Sequence, residues 1–296
     1  IEIDFRNGGK SYIRVEDNGC GMTPDGALLS LERHATSKLR TAEDLLNINS
    51  LGFRGEAIPS IASVSRFTLK TRAEDWAQAC EILVNGGKII YIKDCGMATG
   101  TCIEVLHLFN AVPARRKFLK TDNTEAAHII QLVRNYALAW PNVHFTLLEN
   151  GRQVFKSASC PTLLDRVTEL WGPQTADSLV PLSSSEADGM RLHGLIGKPG
   201  VGRSSRRNMI TIVNNRGVDS RTIAYALIEG YHTYIPKGRY PIAFLFLTIP
   251  PHLIDVNIHP AKREVRFSHE TLVRQFILQS IQEQLAKLSR FNSLDK

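Results

Sequence analysis

Cysteine is scarce in this sequence and follows no metal-binding or disulfide pattern. The five cysteines among 296 residues are scattered, odd in number and never spaced as Cys-x-x-Cys. They support neither a zinc site nor a disulfide framework. Apolar runs are also short, since none approaches the roughly 18 uninterrupted residues of a membrane-spanning helix. With no internal repeat and no low-complexity tract, the sequence predicts a cytoplasmic globular protein without membrane contact, nucleoid-associated if it is bacterial.

What is present is an ordinary globular composition with an excess of positive charge. Hydrophobic residues make up 43% of the chain, enough for one large core or two moderate ones, and this length favours two. The net charge of +7 favours polyanionic partners such as nucleic acid. The first residues already alternate as a strand, without an initiator methionine or a preceding turn, so we expect the chain to be a fragment.

Alternating apolar and polar residues predict mostly antiparallel sheet in the first half of the chain. A hairpin around Asn7-Gly8-Gly9 would deliver Asp17 to the end of its second strand. Thr23 would cap a helix that runs to about His34. Further strands are expected at residues 67–71, 80–84, 89–92, 101–106, 143–148 and 153–155. Apolar residues at helical spacing predict a long helix around residues 126–137.

A domain boundary is expected between residues 156 and 185, where proline, glycine and serine cluster, and we place it near Ser159. Beyond it, the pattern predicts strands at residues 192–196, 209–213, 242–247 and 264–267. A helix near residues 222–229 and a terminal helix complete the prediction. The second domain is therefore expected to be a smaller α+β unit.

Three short motifs carry the functional prediction. The first, Asp17-Asn18-Gly19-Cys20-Gly21-Met22, places a carboxylate at a strand end before two glycines separated by one residue. Such a loop lets backbone approach a flat ligand while the acid accepts a hydrogen bond from an amino group. A tight turn with a solvated aspartate explains this motif alone equally well.

The second motif, Gly52-Phe53-Arg54-Gly55-Glu56-Ala57, follows a long polar connection and leads into an apolar helical segment. Glycines before a helix N-terminus expose unpaired N–H groups at the positive end of the helix dipole. This arrangement predicts an anion site suited to polyphosphate. A flexible loop whose glycines only permit turns is the alternative.

The third motif, Gly100-Thr101 at a strand entry, gains weight only because it follows the other two around a mixed sheet. In this order, the three resemble the nucleotide-binding motifs of the GHKL ATPases. Several segments resemble the MutL family of DNA mismatch repair proteins in particular, and the resemblance runs from Ile1 to about Phe267. They are Arg33-His34-Ala35-Thr36-Ser37-Lys38, the second motif, Pro113-Ala114-Arg115-Arg116-Lys117-Phe118-Leu119, and Asp255-Val256-Asn257-Ile258-His259-Pro260-Ala261-Lys262-Arg263-Glu264-Val265.

The resemblance implies a role for each motif. Asp17 would hold the adenine amino group of ATP, with Gly21 and Thr101 completing the base pocket. Lys38 and the second motif would enclose the phosphates as a lid. Lys262 would reach from the second domain to the terminal phosphate, although without the family match it would be a surface lysine. The ATP-binding residues in this assignment are Asp17, Asn18, Gly19, Gly21, Lys38, Gly52, Phe53, Arg54, Gly55, Glu56, Gly100 and Thr101.

The same resemblance identifies an absence. Family members carry a Glu-Asn-x-x-Asp-Ala helix directly before the strand that here starts at Ile1; its glutamate activates water and its asparagine binds Mg²⁺. This chain has no counterpart, so no metal ligand is assigned in it, and Glu2, Glu16 and Glu56 belong to other motifs. The parent protein is expected to be a weak, Mg²⁺-dependent ATPase, whereas the chain as numbered is expected to hydrolyse ATP poorly.

Two further patterns are set aside. The segment from Gly194 to Pro199 contains a glycine–lysine pair, but its spacing and its proline exclude a P-loop, so it is predicted to be a strand followed by a turn. His252 and His259 near Asp255 lack the spacing of a metal site.

Basic residues supply candidate DNA surfaces that would bind through phosphate contacts, without sequence preference and with sensitivity to salt. One group lies in a serine-rich stretch of the second domain and consists of Arg203, Arg206, Arg207, Arg216 and Arg221. Another group consists of Arg115, Arg116, Lys117 and Lys120. For either group alone, a solvated basic face is an equal alternative.

These inferences combine into one expectation. Residues 1–158 would form an N-terminally truncated GHKL (Bergerat) ATPase domain, a mixed-sheet sandwich of the α+β class. Residues 159–296 would form a smaller α+β transducer and DNA-binding domain similar to ribosomal protein S5. The resemblance implies an ATP-gated coordinator that links mismatch recognition by a MutS partner to downstream repair factors. It also implies a homodimer, formed through a C-terminal domain absent from this chain and through ATP-dependent association of the N-terminal regions.

Two alternatives stay open from the sequence. One is a non-catalytic fragment that binds nucleotide or DNA without turnover. The other is a type II topoisomerase ATPase subunit, against which the segments at residues 113–119 and 255–265 argue.

Overall fold

The chain forms two compact units. The computed structural model describes residues 1–33, 55–255 and 264–294. Unit 1 comprises Ile1–Val133 and Val143–Ala158, and unit 2 comprises Arg134–Asn142 and Ser159–Lys296. The functional division into an ATP-binding domain over residues 1–158 and a transducer domain over residues 159–296 stays a prediction. No helix in the described ranges is long and apolar enough to cross a membrane.

Unit 1 is built on a mixed sheet that has eight strands in the described residues. The strands are β1 (Glu2–Arg6), β2 (Tyr12–Asp17), β3 (Arg66–Arg72), β4 (Ala79–Asn85), β5 (Lys88–Cys95), β6 (Gly100–Leu106), β7 (Phe145–Glu149) and β8 (Arg152–Ser157). Their order is β5-β4-β3-β6-β2-β1-β7-β8. Neighbours run antiparallel except β1 and β7, which are parallel. The predicted strands of this half of the chain are confirmed apart from their ends.

The helices of unit 1 in the described ranges are α1 (Pro24–Leu29), α2 (Ala57–Ala62), α3 (Pro113–Arg116) and α4 (Asp122–Ala139), of which the part from Arg134 onward belongs to unit 2. The apolar core forms where α1 and α2 cover one face of the sheet. Ala27 and Ala62 pack there with buried strand residues such as Phe67, Leu69 and Ile82. Successive side chains of a strand point to opposite faces of the sheet, and the first six residues of β4 are all buried.

Helix α1 begins as predicted but ends sooner. The Thr23 hydroxyl caps it by accepting a hydrogen bond from the Gly26 N–H at 3.1 Å. The predicted end near His34 is wrong, because the helix ends at Leu29 and a turn follows. There the Ser30 hydroxyl donates to the carbonyl oxygen of Ala27 at 2.7 Å. Such local side-chain bonds compete with continuation of a helix.

Unit 2 combines a second sheet with helices. Its described elements are α5 (Leu163–Trp171), α6 (Pro173–Ala176), β9 (Leu179–Ala187), β10 (Met190–Gly197), β11 (Met209–Val213), β12 (Arg216–Gly217), α7 (Arg221–Gly230), β13 (Ala243–Thr248), β14 (Ile254–Asp255), β15 (Arg266–Phe267) and α8 (Glu270–Leu294). The five-stranded sheet has the order β12-β11-β13-β10-β9, and β14 pairs with β15 in a separate ribbon. The α+β class predicted for this half of the chain is confirmed.

The segment after Ser159 is more regular than its composition indicates. Residues 163–187 hold α5, α6 and β9, in place of the irregular stretch that the proline and serine cluster favours. The Thr162 hydroxyl caps α5 by accepting from the Asp165 N–H at 3.1 Å. Serines 183–185 lie in β9, an edge strand of the sheet. Polar residues are tolerated there because one side of an edge strand is not paired.

Candidate functional site

The first predicted motif lies in a row of polar side chains across three neighbouring strands. Asp17 at the end of β2 pairs in register with Thr101 of β6, and Thr101 pairs in register with Thr71 of β3. Residues directly opposite each other in antiparallel strands point to the same face of the sheet. Asp17 and Thr101 are partly exposed, whereas Thr71 is only 1% exposed. Asp17 and Thr101 are therefore accessible to a ligand, and the buried Thr71 side chain lies beside Thr101.

The Thr71 hydroxyl joins the loop after Asp17 to the start of β6. It accepts a hydrogen bond from the Met22 N–H at 2.9 Å. It also lies 3.0 Å from the carbonyl oxygen of Gly100 and 3.1 Å from the Thr101 hydroxyl. Sequence reasoning missed Thr71. A signal was present, because Thr71 continues the inward series of Phe67 and Leu69 and so puts a hydroxyl at a core position.

Two glycines of the motifs are required by close backbone contacts. Gly21 has a φ of +64°, and a Cβ atom on it would lie 1.9 Å from the carbonyl oxygen of Arg72. Gly100 has a φ of +137°, and its Cβ would lie 2.1 Å from the carbonyl oxygen of Asp17. Only glycine fits at either position without moving the backbone. These contacts pack the loop after Asp17 against the end of β3 and the start of β6 against the end of β2.

The turn after Asp17 is held by its own aspartate. The Gly19 N–H donates to Asp17 Oδ1 at 2.9 Å, while Asn18 and Gly19 are exposed. This bond fixes the carboxylate at the mouth of the loop and leaves it further lone pairs for a ligand.

The predicted phosphate-binding residues are only partly described. Lys38, Gly52, Phe53 and Arg54, like Lys262 in unit 2, lie outside the described residues. Gly55 has a φ of +61°, and the exposed Glu56 precedes α2. The helix predicted after the second motif is therefore confirmed, and the anion site at its start stays a prediction.

The acidic residues near the start of the chain are engaged elsewhere. The Arg14 guanidinium forms ion pairs with Glu2 and Glu16. Since successive side chains of a strand alternate between faces, Glu16 lies on the opposite face of the sheet from Asp17. Neither carboxylate is placed to act beside Asp17.

Two cavities of unit 1 lie at the other end of the same strands. Each has a volume of about 260 Å³, and His107 and Asn110 line both. From Thr101 to His107 the chain advances six residues along β6, about 20 Å at the rise of an extended strand. These cavities are therefore separate from the row that contains Asp17.

The two basic groups differ in how the structure presents them. In unit 2, Arg203 and Tyr240 exchange backbone hydrogen bonds at 2.8 Å, and the Arg206 guanidinium lies 5.1 Å from the centre of the Tyr240 ring. Arg207 is exposed in the same stretch, and Arg221 is exposed at the start of α7. Arg216 on β12 is partly buried, which lowers its pKa. The members thus lie on several elements of unit 2.

The second basic group occupies one short segment of unit 1. Arg115, Arg116, Lys117 and Lys120 are all exposed on α3 and the turn that follows it. They surround Phe118, which is 81% exposed. Arg116 donates to Asn110 Oδ1 at 3.1 Å.

Of the two patterns excluded as sites from the sequence, the structure describes the first in full and the second in part. The glycine–lysine segment forms the end of β10, followed by a turn, as predicted. A Cβ on Gly194 would lie 2.0 Å from the carbonyl oxygen of Phe244, so this glycine serves strand packing. His252 is exposed in the short 3-10 helix Pro251–Leu253, and His259 lies outside the described residues.

Known proteins resemble the chain over nearly its whole length. A profile of the family described as "DNA mismatch repair protein, C-terminal domain" matches residues 167–286. The DNA mismatch repair protein MutL of Opitutus terrae is 59% identical over 293 residues, 99% of this chain and 46% of that protein. The MutL protein of Syntrophotalea carbinolica is 44% identical over 97% of this chain and 46% of its own length. The chain thus spans about half the length of these curated relatives.

Solved structures match the fold. The N-terminal domain of a DNA repair protein superposes with a TM-score of 0.81 at 24% identity, over 97% of this chain and 89% of that one. The Aquifex aeolicus MutL ATPase domain complexed with ADP gives a TM-score of 0.63 at 26% identity, over 93% of this chain and 88% of that one. The fold is that of the GHKL ATPase domains, as predicted. Together with the relatives, it shows that the chain belongs to the MutL family of DNA mismatch repair proteins.

Proposed function

We propose that unit 1 binds ATP, with the adenine against Asp17 and Thr101. The observation that carries the proposal is the row of Asp17, Thr101 and Thr71 across β2, β6 and β3. It offers acceptor oxygens to an amino group, and the close backbone contacts at Gly21 and Gly100 hold the Asp17 loop against β3 and β6. The related Aquifex aeolicus domain, which has the same fold, is named as complexed with ADP.

The phosphates are assigned to the segments on which the family resemblance rests. Lys38 and the backbone of residues 52–56 would enclose them, and Lys262 would contact the terminal phosphate. A lysine suits this task because it carries a compact charge on a flexible stem. Contact from Lys262 would couple the orientation of the second domain to the bound nucleotide.

We assign no residue of this chain as a ligand of Mg²⁺. The described residues contain no group of three or more His, Cys, Asp or Glu side chains that could hold a metal ion. In the resemblance, the Mg²⁺ ligand and the catalytic glutamate both belong to a motif that this chain does not contain. We propose nucleotide binding for this chain and weak, Mg²⁺-dependent ATP hydrolysis for the whole protein.

For the whole protein, we propose an ATP-gated coordinator of mismatch repair. Bound ATP would close the lid and reorient the second domain, and it would promote association of two N-terminal regions in a homodimer. The protein would link a MutS-type mismatch recognition protein to downstream repair factors. Support comes from the family and from relatives named as DNA mismatch repair proteins, of which this chain covers 46%.

DNA is the proposed macromolecular ligand of the basic residues. The net charge of +7 and the exposed arginines 206, 207 and 221 favour contacts with phosphates, which carry no sequence preference. Partly buried Arg216 is less suited to a phosphate contact than its exposed neighbours.

The test is calorimetric titration of the chain with ATP, compared with its Asp17→Asn variant. Asparagine can still accept the Gly19 N–H through its side-chain oxygen, so the turn is preserved while the charge is lost. A hydrogen bond to a charged group contributes about 1.5–3 kcal/mol, so the affinity for ATP is expected to fall about ten- to hundredfold.

The matched control is Asp94→Asn, which makes the same change at an exposed position of the edge strand β5. It is expected to leave the affinity for ATP unchanged. Equal affinities of wild type and Asp17→Asn would contradict the adenine assignment. Absence of ATP binding by the wild-type chain would contradict the proposal for this chain as a whole.

A further inference from the structure

The three partners of the Thr71 hydroxyl differ in what each can do. The Met22 N–H, at 2.9 Å, can only donate. The Gly100 carbonyl, at 3.0 Å, can only accept. The Thr101 hydroxyl, at 3.1 Å, can do either. A hydroxyl has one proton and two acceptor lone pairs.

These rules leave one arrangement that satisfies all three bonds. The Thr71 hydroxyl donates a hydrogen bond to the Gly100 carbonyl oxygen and accepts one from the Met22 N–H. Its remaining lone pair therefore accepts a hydrogen bond from the Thr101 hydroxyl. The Thr101 hydroxyl then has no proton for a ligand and presents lone pairs alone. This arrangement stabilises the buried network, because Thr71 is only 1% exposed and an unsatisfied hydrogen-bonding group there would cost free energy.

We infer that Thr71 determines base specificity by fixing the Thr101 hydroxyl as an acceptor. Together with the Asp17 carboxylate, the site then offers acceptors only, which match the 6-amino group of adenine and oppose the 6-oxo group of guanine or hypoxanthine. This inference rests on the proposed ATP binding. Thr71 acts through Thr101 and the Met22 loop, and is therefore a positioning residue.

The substitution Thr71→Val isolates this role because valine has the shape of threonine without the hydroxyl. The Thr101 hydroxyl would then be free to donate a hydrogen bond to a ligand. A site that specifies adenine through Thr71 should lose affinity for ATP and gain relative affinity for ITP, whose hypoxanthine carries the 6-oxo group. If Thr71 had a purely structural role, the substitution would reduce the affinities for ATP and ITP by the same factor.

The experiment measures dissociation constants for ATP and ITP by calorimetry in wild type, Thr71→Val, Thr71→Ser and Thr68→Val. Thr68 is a buried threonine of β3, but the alternation of the strand turns it to the other face. We expect the preference for ATP over ITP to fall at least about fivefold in Thr71→Val, to be restored in Thr71→Ser and to be unchanged in Thr68→Val.

Several outcomes would overturn the inference. The inference would be overturned if a folded Thr71→Val variant kept the wild-type preference for ATP over ITP, even with both affinities reduced. The proposal that the chain binds ATP would be unaffected by that result. A wild-type chain that binds neither nucleotide would overturn both the inference and the proposed function. If circular dichroism shows that Thr71→Val is unfolded, Thr71→Ala removes the same hydroxyl without filling its space, and the same comparison of ATP and ITP decides.

Discussion

Gly21 and Arg72 approach so closely that a Cβ atom on Gly21 would lie 1.9 Å from the carbonyl oxygen of Arg72. This contact packs the loop after Asp17 onto the end of β3. The backbone of Gly21 is also left-handed, with a φ of +64°. Steric fit and backbone conformation therefore both require glycine here.

The first prediction separates these two requirements. Gly86 has a similar φ of +55°, but a Cβ on it would meet nothing within 4 Å. Gly86→Ala is expected to cost about 1–2 kcal/mol, the strain of a left-handed alanine. Gly21→Ala must also move the backbone, so it should cost more, above about 2 kcal/mol. Urea unfolding measures both. Equal costs would show that the close contact with Arg72 is absent.

The second prediction concerns a buried tyrosine of unit 2. The Tyr231 hydroxyl donates to the carbonyl oxygen of Gly197 at 2.5 Å, and its side chain is fully buried. Tyr231→Phe removes this donor, so the free energy of unfolding should fall by about 0.5–1.5 kcal/mol, the net contribution of a typical hydrogen bond. Tyr225→Phe, at a residue 56% exposed, is the control and should leave stability unchanged. Equal stability of the two variants would contradict the assigned bond.

The third prediction is a dependence of stability on alkaline pH. Burial, followed by the neighbouring Glu104 carboxylate, raises the pKa of Tyr12 from 10.0 to about 12. The Tyr12 hydroxyl donates to Glu104 Oε1 at 3.1 Å. Below pH 10 the phenol keeps its proton in both states, so its contribution to stability is fully present. Between pH 10 and 12 only the unfolded chain releases the proton, so stability is lost as pH rises.

The measurement is the free energy of unfolding between pH 9 and 12, a range that begins below the ordinary tyrosine pKa of 10.0 and reaches the raised pKa of about 12. The loss should be smaller in Tyr12→Phe than in wild type. Glu104→Gln removes the charge that helps to raise the pKa of Tyr12, so it should narrow the pH range over which the free energy of unfolding decreases. Identical pH profiles for wild type and Tyr12→Phe would contradict the assigned pKa.

The fourth prediction tests the basic residues of unit 2. Arg207 is exposed on the short turn Arg206–Asn208, where it could contact a phosphate. Arg207→Gln should weaken binding to DNA of any sequence and reduce the slope of log affinity against log salt by about 1. Arg191 is also exposed, but its Nε donates to Glu186 at 2.7 Å. Arg191→Gln should therefore change the slope little, and equal effects of the two variants would contradict a localised contact surface.

Local patterns predicted much of unit 1 because short apolar runs bounded by turn residues mark its strands, and β1 also alternates in burial. Asp17 was expected at a strand end, and β2 ends there. The order of short motifs also indicated the fold, since the first motif falls where β2 ends and the third falls where β6 starts. Such signals depend on neighbours in sequence, and the alternation of a strand is visible within five or six residues.

Other features depend on contacts that are distant in sequence. Thr71 was missed because its partners, Met22 and Thr101, are brought to it only by the pairing of β3 with β6. Strand β9 was missed because serine and proline favour loops, yet pairing with β10 stabilises it at the sheet edge. Helix α1 is shorter than predicted because one serine hydroxyl bonds to the preceding turn. In each case, tertiary or side-chain bonding outweighed local propensity.

The most direct test of the proposed nucleotide site is an amide NMR titration of the chain with ADP. The largest shifts are expected at Gly19, Met22, Gly100 and Thr101, around the Asp17 carboxylate. The amides of Lys10 and His107, at the opposite end of the same strands, should stay in place. Shifts centred on Lys10 and His107, or no shifts at the Asp17 loop at saturating ADP, would contradict the nucleotide site.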